Sequence, residues 1–340
     1  MEKVSLSALD KFKVGQYEDQ EGMTGVTVIV APEGAVPGVD VRGGSPSTRD
    51  TDSLSPVANR EFVHAVMLAG GSAFGLDASA GVMEVLEKNG IGRDVRYTVI
   101  PNVCGAILFD LGIGKPGIRP DLAMGREASL RALNGQEFLS GNHGAGTGAT
   151  IGKRNGLKNA MKGGIGCSVL KQGDLVAGAI IAVNCVGDIH ENGKIIAGAR
   201  SDDGHSFADS EKMVLEAYNI SKDYFKDGAE AGTRYDDGGN TVIGCIMTNA
   251  VLSKAQVNKL ASQGHNGLAR TIYPTHTVSD GDTMFALASC EVEATPDSVA
   301  ILAVRAVERA IIDAVKSAET WGDFLSLKDF EKKGKNYQDE

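Results

Sequence analysis

A layered α/β fold is predicted by two features of this sequence. Short apolar runs bounded by Gly, Pro, Asn or Asp alternate with helical patterns along the whole chain. The runs are also apolar nearly throughout, as expected of sheets covered on both faces. The strand-like runs are 25–30, 63–68, 103–109, 175–183, 242–247 and 283–287, all short and rich in branched or apolar residues. Helical patterns fall between them at 76–88, 121–133, 211–218 and 254–270. The clearest helix begins at Thr295-Pro296-Asp297, where a good cap precedes a proline in the first turn. Its apolar stripe is Ile301, Val304, Ala306, Val307, Ile311 and Val315, with Arg305, Glu308 and Arg309 outside. The charged segment 320–340 reads as a surface helix with a frayed tail. No Pro-rich or Ser-rich linker and no internal repeat divides the chain, so one domain spanning 1–340 is expected.

Composition narrows the function. The chain has 44 Gly against 9 Pro without a Gly-X-Y period, which excludes collagen and suits tightly turned strands. A net charge of −10 leaves no electrostatic footprint for nucleic acid or for an anionic membrane. The longest apolar stretch, 175–183, is too short to span a bilayer, and residues 1–16 lack the apolar core of a signal peptide. Cys104, Cys167, Cys185, Cys245 and Cys290 form no C-x-x-C pair and read as buried thiols of a reducing compartment. A soluble cytoplasmic protein is the expectation.

Three glycine-rich stretches invite other readings. Gly70-Gly71-Ser72-Ala73-Phe74-Gly75 resembles a nucleophile elbow, but Phe74 stands where G-x-S-x-G requires glycine, so Ser72 is expected to pack or cap. Gly144-Ala145-Gly146-Thr147-Gly148-Ala149 fits G-x-G-x-x-A without following a strand. Gly152-Lys153 lacks the earlier Walker glycine and the following Ser or Thr, so no nucleotide cofactor is expected. Asp280-Gly281-Asp282 near His276 runs into an apolar strand where a calcium loop would continue. The six histidines show no zinc spacing and read as ordinary surface or hydrogen-bonded residues; no metal is expected.

The chemistry concentrates where Asp236-Asp237-Gly238-Gly239-Asn240 runs into Thr241-Val242-Ile243-Gly244. A plain loop–strand junction, with Thr241 chosen for β-propensity, accounts for these residues. A second account is chemical. A threonine hydroxyl is a poor nucleophile until a base takes its proton, and cleavage before Thr241 would free an α-amine, of pKa about 8, to be that base. Two glycines before Asn240 permit the strained backbone that would press its carbonyl on the hydroxyl. Asp280 and Asp282, two apart, share one side of the chain if extended. Paired acids crowd each other's charge, so one would hold a proton near neutrality and shuttle it for the nucleophile. A solvated Asp-Gly turn explains the same pair.

Blocks along most of the chain carry a resemblance. They are Thr24-Gly25-Val26-Thr27-Val28, Asp40-Val41-Arg42-Gly43-Gly44, 68–76 around Ser72, 144–153, Asn240-Thr241-Val242-Ile243-Gly244, and 276–283. Together they resemble the L-aminopeptidase/D-esterase family, which includes β-peptidyl aminopeptidases and the 6-aminohexanoate (nylon) oligomer hydrolase. The resemblance implies a four-layer α-β-β-α sandwich, cut by itself between Asn240 and Thr241 into chains 1–240 and 241–340. It further implies a homo-oligomer, a tetramer of processed heterodimers, acting on small amides or oligomers without a cofactor. On the matching positions the nucleophile is Thr241, the supporting acids are Asp280 and Asp282, the lysine is Lys153 and the asparagine is Asn184. Asn184 would donate to a developing oxyanion, held in place by Lys153. Thr241 with Asp280-Gly281-Asp282 is similar to the nylon-oligomer branch. Arg119 stands where that branch has tyrosine before a Pro-Asp pair, and is the expected substrate-binding difference. An aminopeptidase needing a free amino terminus is the alternative enzyme. A processed, non-catalytic binding protein is the alternative of another class.

Overall fold

A computed structural model describes residues 1–226 and 239–338. Ten strands build its main sheet: β1 Glu2–Val4, β2 Lys13–Asp19, β3 Thr24–Val41, β4 Thr48–Arg49, β5 Val63–Ala69, β6 Val103–Ile107, β7 Gly164–Gln172, β8 Leu175–Asn184, β9 Thr241–Ala250 and β10 Thr283–Val292. Six α-helices accompany them: α1 Ala78–Lys88, α2 Leu122–Leu133, α3 Ser210–Lys226, α4 Lys254–Ala269, α5 Pro296–Ser317 and α6 Leu327–Gln338. The mixed α/β class is thus as expected.

The strand order is β1-β7-β8-β9-β10-β3-β5-β6-β4, with β2 also on β3. One long strand joins the two halves. Val26 to Val30 of β3 pair with β5, and Val36 to Val41 pair with β10. The register shifts between Val30 and Ala35, where Gly34 takes a φ of 81°. A residue with a side chain is strained there, so glycine sets the bend.

Alternation along the strands sends successive residues to different cores. Ala179, Ile181, Val242, Ile246 and Met284 face α4 and α5. Ile180, Ile243, Cys245 and Phe285 meet Ile29, Val66, Leu68 and Cys104 from the other half. Val28, Ala65 and Met67 face α1 and α2. Helix α5 begins as predicted, with Thr295 accepting from the Ser298 N–H. Its predicted stripe is buried at Val304, Ala306, Val307, Ile311 and Val315, and needs one correction: Ile301 is 63% exposed, while Val299, Leu302, Ala303 and Ala310 join the buried face. Of the five thiols expected to be buried, Cys104, Cys185 and Cys245 are, Cys167 is half-buried, and Cys290 is exposed beyond the last buried residue of β10. Helix α6 is not purely superficial, since Phe330 stacks on Phe207 at 4.8 Å. Among the described residues no helix is long and apolar enough to cross a membrane.

Candidate active site

The candidate residues converge where three strands end together. Asn184 closes β8 directly opposite Thr241, which opens β9. Asn240 forms a parallel bridge to Asp280, just before β10. The acidic turn at 236–238 lies outside the described residues. Thr241, Asn184, Asp280 and Asp282 are all buried, as is Lys153. Burial of this many polar groups demands partners, and these define the site.

The Thr241 hydroxyl donates to the carbonyl oxygen of Asn240 at 2.5 Å. The Gly281 N–H donates to the same oxygen at 3.0 Å. A Cβ added to Gly281 would stand 2.8 Å from Thr241 Oγ1 and 3.0 Å from the Ser45 carbonyl, so glycine between the acids leaves room for the hydroxyl. Lys153 follows Gly152, whose φ of 66° and contact with Gly198 and Ala199 suit only glycine. Its Nζ donates to Asn184 Oδ1 at 2.9 Å, to the Asn184 carbonyl at 3.0 Å and to the Gly239 carbonyl at 3.1 Å. Burial brings the Lys153 ammonium down to about 8. Asn184 Nδ2 donates to the Phe109 carbonyl at 2.9 Å and to the Gly239 carbonyl at 3.2 Å. Lysine and asparagine thus grip the peptide immediately before Asn240.

The acids are split by their surroundings. Asp282 accepts from the Val242 N–H at 2.7 Å through Oδ1. Its Oδ2 takes the Thr275 hydroxyl, the His276 N–H and the His276 ring. Asp280 Oδ2 accepts the Thr277 N–H at 2.6 Å, and its Oδ1 has no hydrogen-bond partner among the described residues. Burial first, and then the Asp282 charge, push the Asp280 carboxyl up to about 6. Unequal hydrogen bonding thus distinguishes two carboxyls that lie close together. Neither carboxylate hydrogen-bonds the Thr241 hydroxyl, so the paired acids touch the junction through Val242 and Gly281 instead.

Other expectations are placed elsewhere. Arg119 stacks its guanidinium 3.7 Å from the Phe74 ring centroid, outside the hydrogen bonds that join the five residues. Ser72 has a φ of 53° after β5, an elbow-like backbone, yet among the described residues no histidine or carboxylate bonds its hydroxyl. Gly146 and Gly148 press on the backbones of Ile165 and Met23, which explains those glycines by packing. Among the described residues no group of three or more His, Cys, Asp or Glu is arranged to hold a metal.

Three contributors were not legible as site residues. His276 lies in a recognised block, but nothing in its spacing announces the bond to Asp282. Phe109 supplies a carbonyl to Asn184, and its ring packs where a Cβ on Gly239 would go. Asp110 anchors that turn by accepting the Thr24 hydroxyl and the Gly71 N–H, both at 2.7 Å; burial pushes its carboxyl up to about 6.

Known proteins share this chain's sequence pattern and fold. The signature of peptidase family S58 matches residues 8–325. An uncharacterized aminopeptidase of Mycobacterium leprae is 37% identical over 318 residues, covering 87% of this chain and 83% of the relative. The 6-aminohexanoate-oligomer endohydrolase of Paenarthrobacter ureafaciens is 30% identical over 312 residues, covering 92% and 82%. Among solved structures, the L-aminopeptidase D-Ala-esterase/amidase of Ochrobactrum anthropi, a variant of the Ntn hydrolase fold, matches with a TM-score of 0.65 at 18% identity. That match covers 97% of this chain and 93% of the other.

Proposed function

The chain belongs to peptidase family S58 and is an amide-bond hydrolase, and from that premise we propose that it processes itself at Asn240–Thr241 and then uses Thr241 as an N-terminal nucleophile. The observation that carries this reading is the Asn240 carbonyl oxygen, which receives the Thr241 hydroxyl at 2.5 Å and the Gly281 N–H at 3.0 Å. The nucleophile therefore lies against the bond it would cut, and a backbone donor is aimed at the oxygen that would become negative.

In the first reaction Thr241 Oγ1 attacks the Asn240 carbonyl carbon and gives up its proton to the acid pair, with Asp280 as carrier. The C–N bond breaks, the α-amine takes a proton, and an ester joins Asn240 to Thr241 Oγ1. Water then hydrolyses the ester, leaving a carboxylate on Asn240 and a free amine on Thr241. In later turnovers that amine is the base for its own hydroxyl. Lys153 and Asn184, now gripping the Gly239 carbonyl, hold the acyl side of the substrate in the same way. Arg119 is assigned to substrate binding, where a guanidinium favours a carbonyl or carboxylate. We read the three cores as the seams of a four-layer α-β-β-α sandwich forming one hydrolase domain, and the assembly as a homo-oligomer of processed chains. Small amides and linear 6-aminohexanoate oligomers are the proposed substrates, in line with the names of the relatives.

Denaturing electrophoresis with N-terminal sequencing tests this directly. Active protein is expected as chains 1–240 and 241–340, the smaller beginning Thr-Val-Ile-Gly. Thr241→Ala is expected to stay whole and inactive, while Ser72→Ala cuts and hydrolyses normally. Full activity in an uncut chain would refute the proposal.

A further inference from the structure

One titratable side chain lies against the acid pair and has no part in the reaction above. His276 adopts a φ of 58°, a left-handed backbone that disfavours any residue with a Cβ. In that conformation its N–H and its ring Nδ1 reach the same oxygen, Asp282 Oδ2, at 3.1 and 2.7 Å. The opposite oxygen of Asp282 holds the N–H of Val242, the residue that follows Thr241. Asp282 thus ties the His276 imidazole to the backbone of the nucleophile.

We propose that His276 is a positioning residue: its Nδ1–H holds the Asp282 carboxyl group aimed at the Val242 N–H, and so keeps Thr241 against the Asn240 carbonyl. This rests on Thr241 being the nucleophile. Strain is kept in a backbone when the surrounding structure uses it, and here the left-handed turn puts two donors on one carboxylate oxygen. With the Val242 N–H on the other oxygen, the His276 donors fix the orientation of the whole group.

On the far side of the imidazole, the His265 ring of α4 meets it edge-on at 4.7 Å. His265 is directed at the Asp40 carbonyl of β3 at 3.0 Å and is kept neutral by burial, brought down to about 4. The Asp40 carboxylate is itself paired with Arg42 at 2.7 Å. On the near side, Asp280 faces Asp282, and the Lys153 ammonium and the buried Cys185 thiol also feel Asp280.

Three variants of the full chain test the proposal: His276→Gly, His276→Asn and His276→Leu. Glycine accepts the left-handed backbone without strain but has no side-chain donor. Asparagine tolerates the same backbone, and its Nδ2 stands as far from the main chain as the imidazole Nδ1. Rates of self-cleavage, kcat and KM are measured for each, with thermal melting as a check on folding. His276→Gly is expected to slow self-cleavage and kcat by about tenfold or more, with KM little changed. His276→Asn is expected to restore both, and His276→Leu to restore neither. A His276→Gly protein with the wild-type rates would overturn the proposal, as would an asparagine variant that melts normally but keeps the slow rates of the glycine variant. An inactive, uncut Thr241→Ala beside a wild-type-like His276→Gly would reject only the role of His276. A cut, active Thr241→Ala would reject the nucleophile itself.

Discussion

Asp280→Asn tests the acid pair through stability as well as through chemistry. The Asp280 carboxyl is 2% exposed, one of its oxygens has no partner, and it is raised from 3.8 to about 6 by burial and then by the Asp282 charge. A group raised in this way binds its proton more tightly in the folded chain than in the unfolded one. Its contribution to stability is complete below pH 3.8 and is lost as pH rises through about 6. About two units at roughly 1.4 kcal/mol each set a ceiling near ~3 kcal/mol for the penalty at pH 8. Asparagine carries no charge, and its Oδ1 still accepts the Thr277 N–H. The comparison is made in a Thr241→Ala background, so that neither protein cuts itself. There, Asp280→Asn is expected to raise the unfolding free energy by about 2–3 kcal/mol at pH 8 and by less than ~0.5 kcal/mol at pH 4. Urea unfolding followed by circular dichroism at both pH values measures the difference. In the chain with Thr241 intact, the same substitution is expected to slow self-cleavage by about a hundredfold. A stability difference that is the same at both pH values, or that falls as pH rises, would refute the assignment of Asp280 as the proton-holding acid.

Lys153 and the substrate carry further expectations. Lys153→Met keeps the apolar stem but removes the donors to Asn184 and Gly239, so kcat is expected to fall by about a hundredfold. In the unmodified enzyme the alkaline limb of kcat is expected near pH 8, where the Lys153 ammonium, lowered by burial, deprotonates. Lys153→Met should lack that limb in a stopped-time assay. An aminohexanoate oligomer and its N-acetylated form are expected to be cut alike to internal fragments when followed by mass spectrometry. Loss of cleavage on acetylation, with single units released from the free form, would identify an aminopeptidase.

Much of the fold was legible because burial leaves a periodic trace. The apolar runs now in β5, β8, β9 and β10 and the cap of α5 were visible as local patterns. The strand β7 was not, because Gly164 and Gly166 interrupt its apolar pattern. Those glycines are there because a Cβ at either would strike the α5 backbone at Ala310 or Ala314, a reason that lies more than a hundred residues away in the chain. The second half of β3 was hidden as well: the run read at 25–30 covers only its first half, yet the strand bends at Gly34 and continues on β10.

The candidate site divides in the same way. Residue types, their order and the family could be read along the chain: a Gly-Gly-Asn-Thr junction, a D-G-D turn, a lysine and an asparagine. Which partner each one has depends on the folded molecule. Asp280 and Asp282 are interchangeable by composition, yet both oxygens of Asp282 are held by four donors, while Asp280 has one oxygen without a partner among the described residues. His276 looked like any hydrogen-bonded histidine until its backbone turned the ring onto Asp282. Local spacing records which face a side chain shares with its neighbours, whereas desolvation and hydrogen bonding depend on what distant strands place beside it. Those distant neighbours meet only where β8, β9 and β10 come together, and no local pattern in the chain records that meeting.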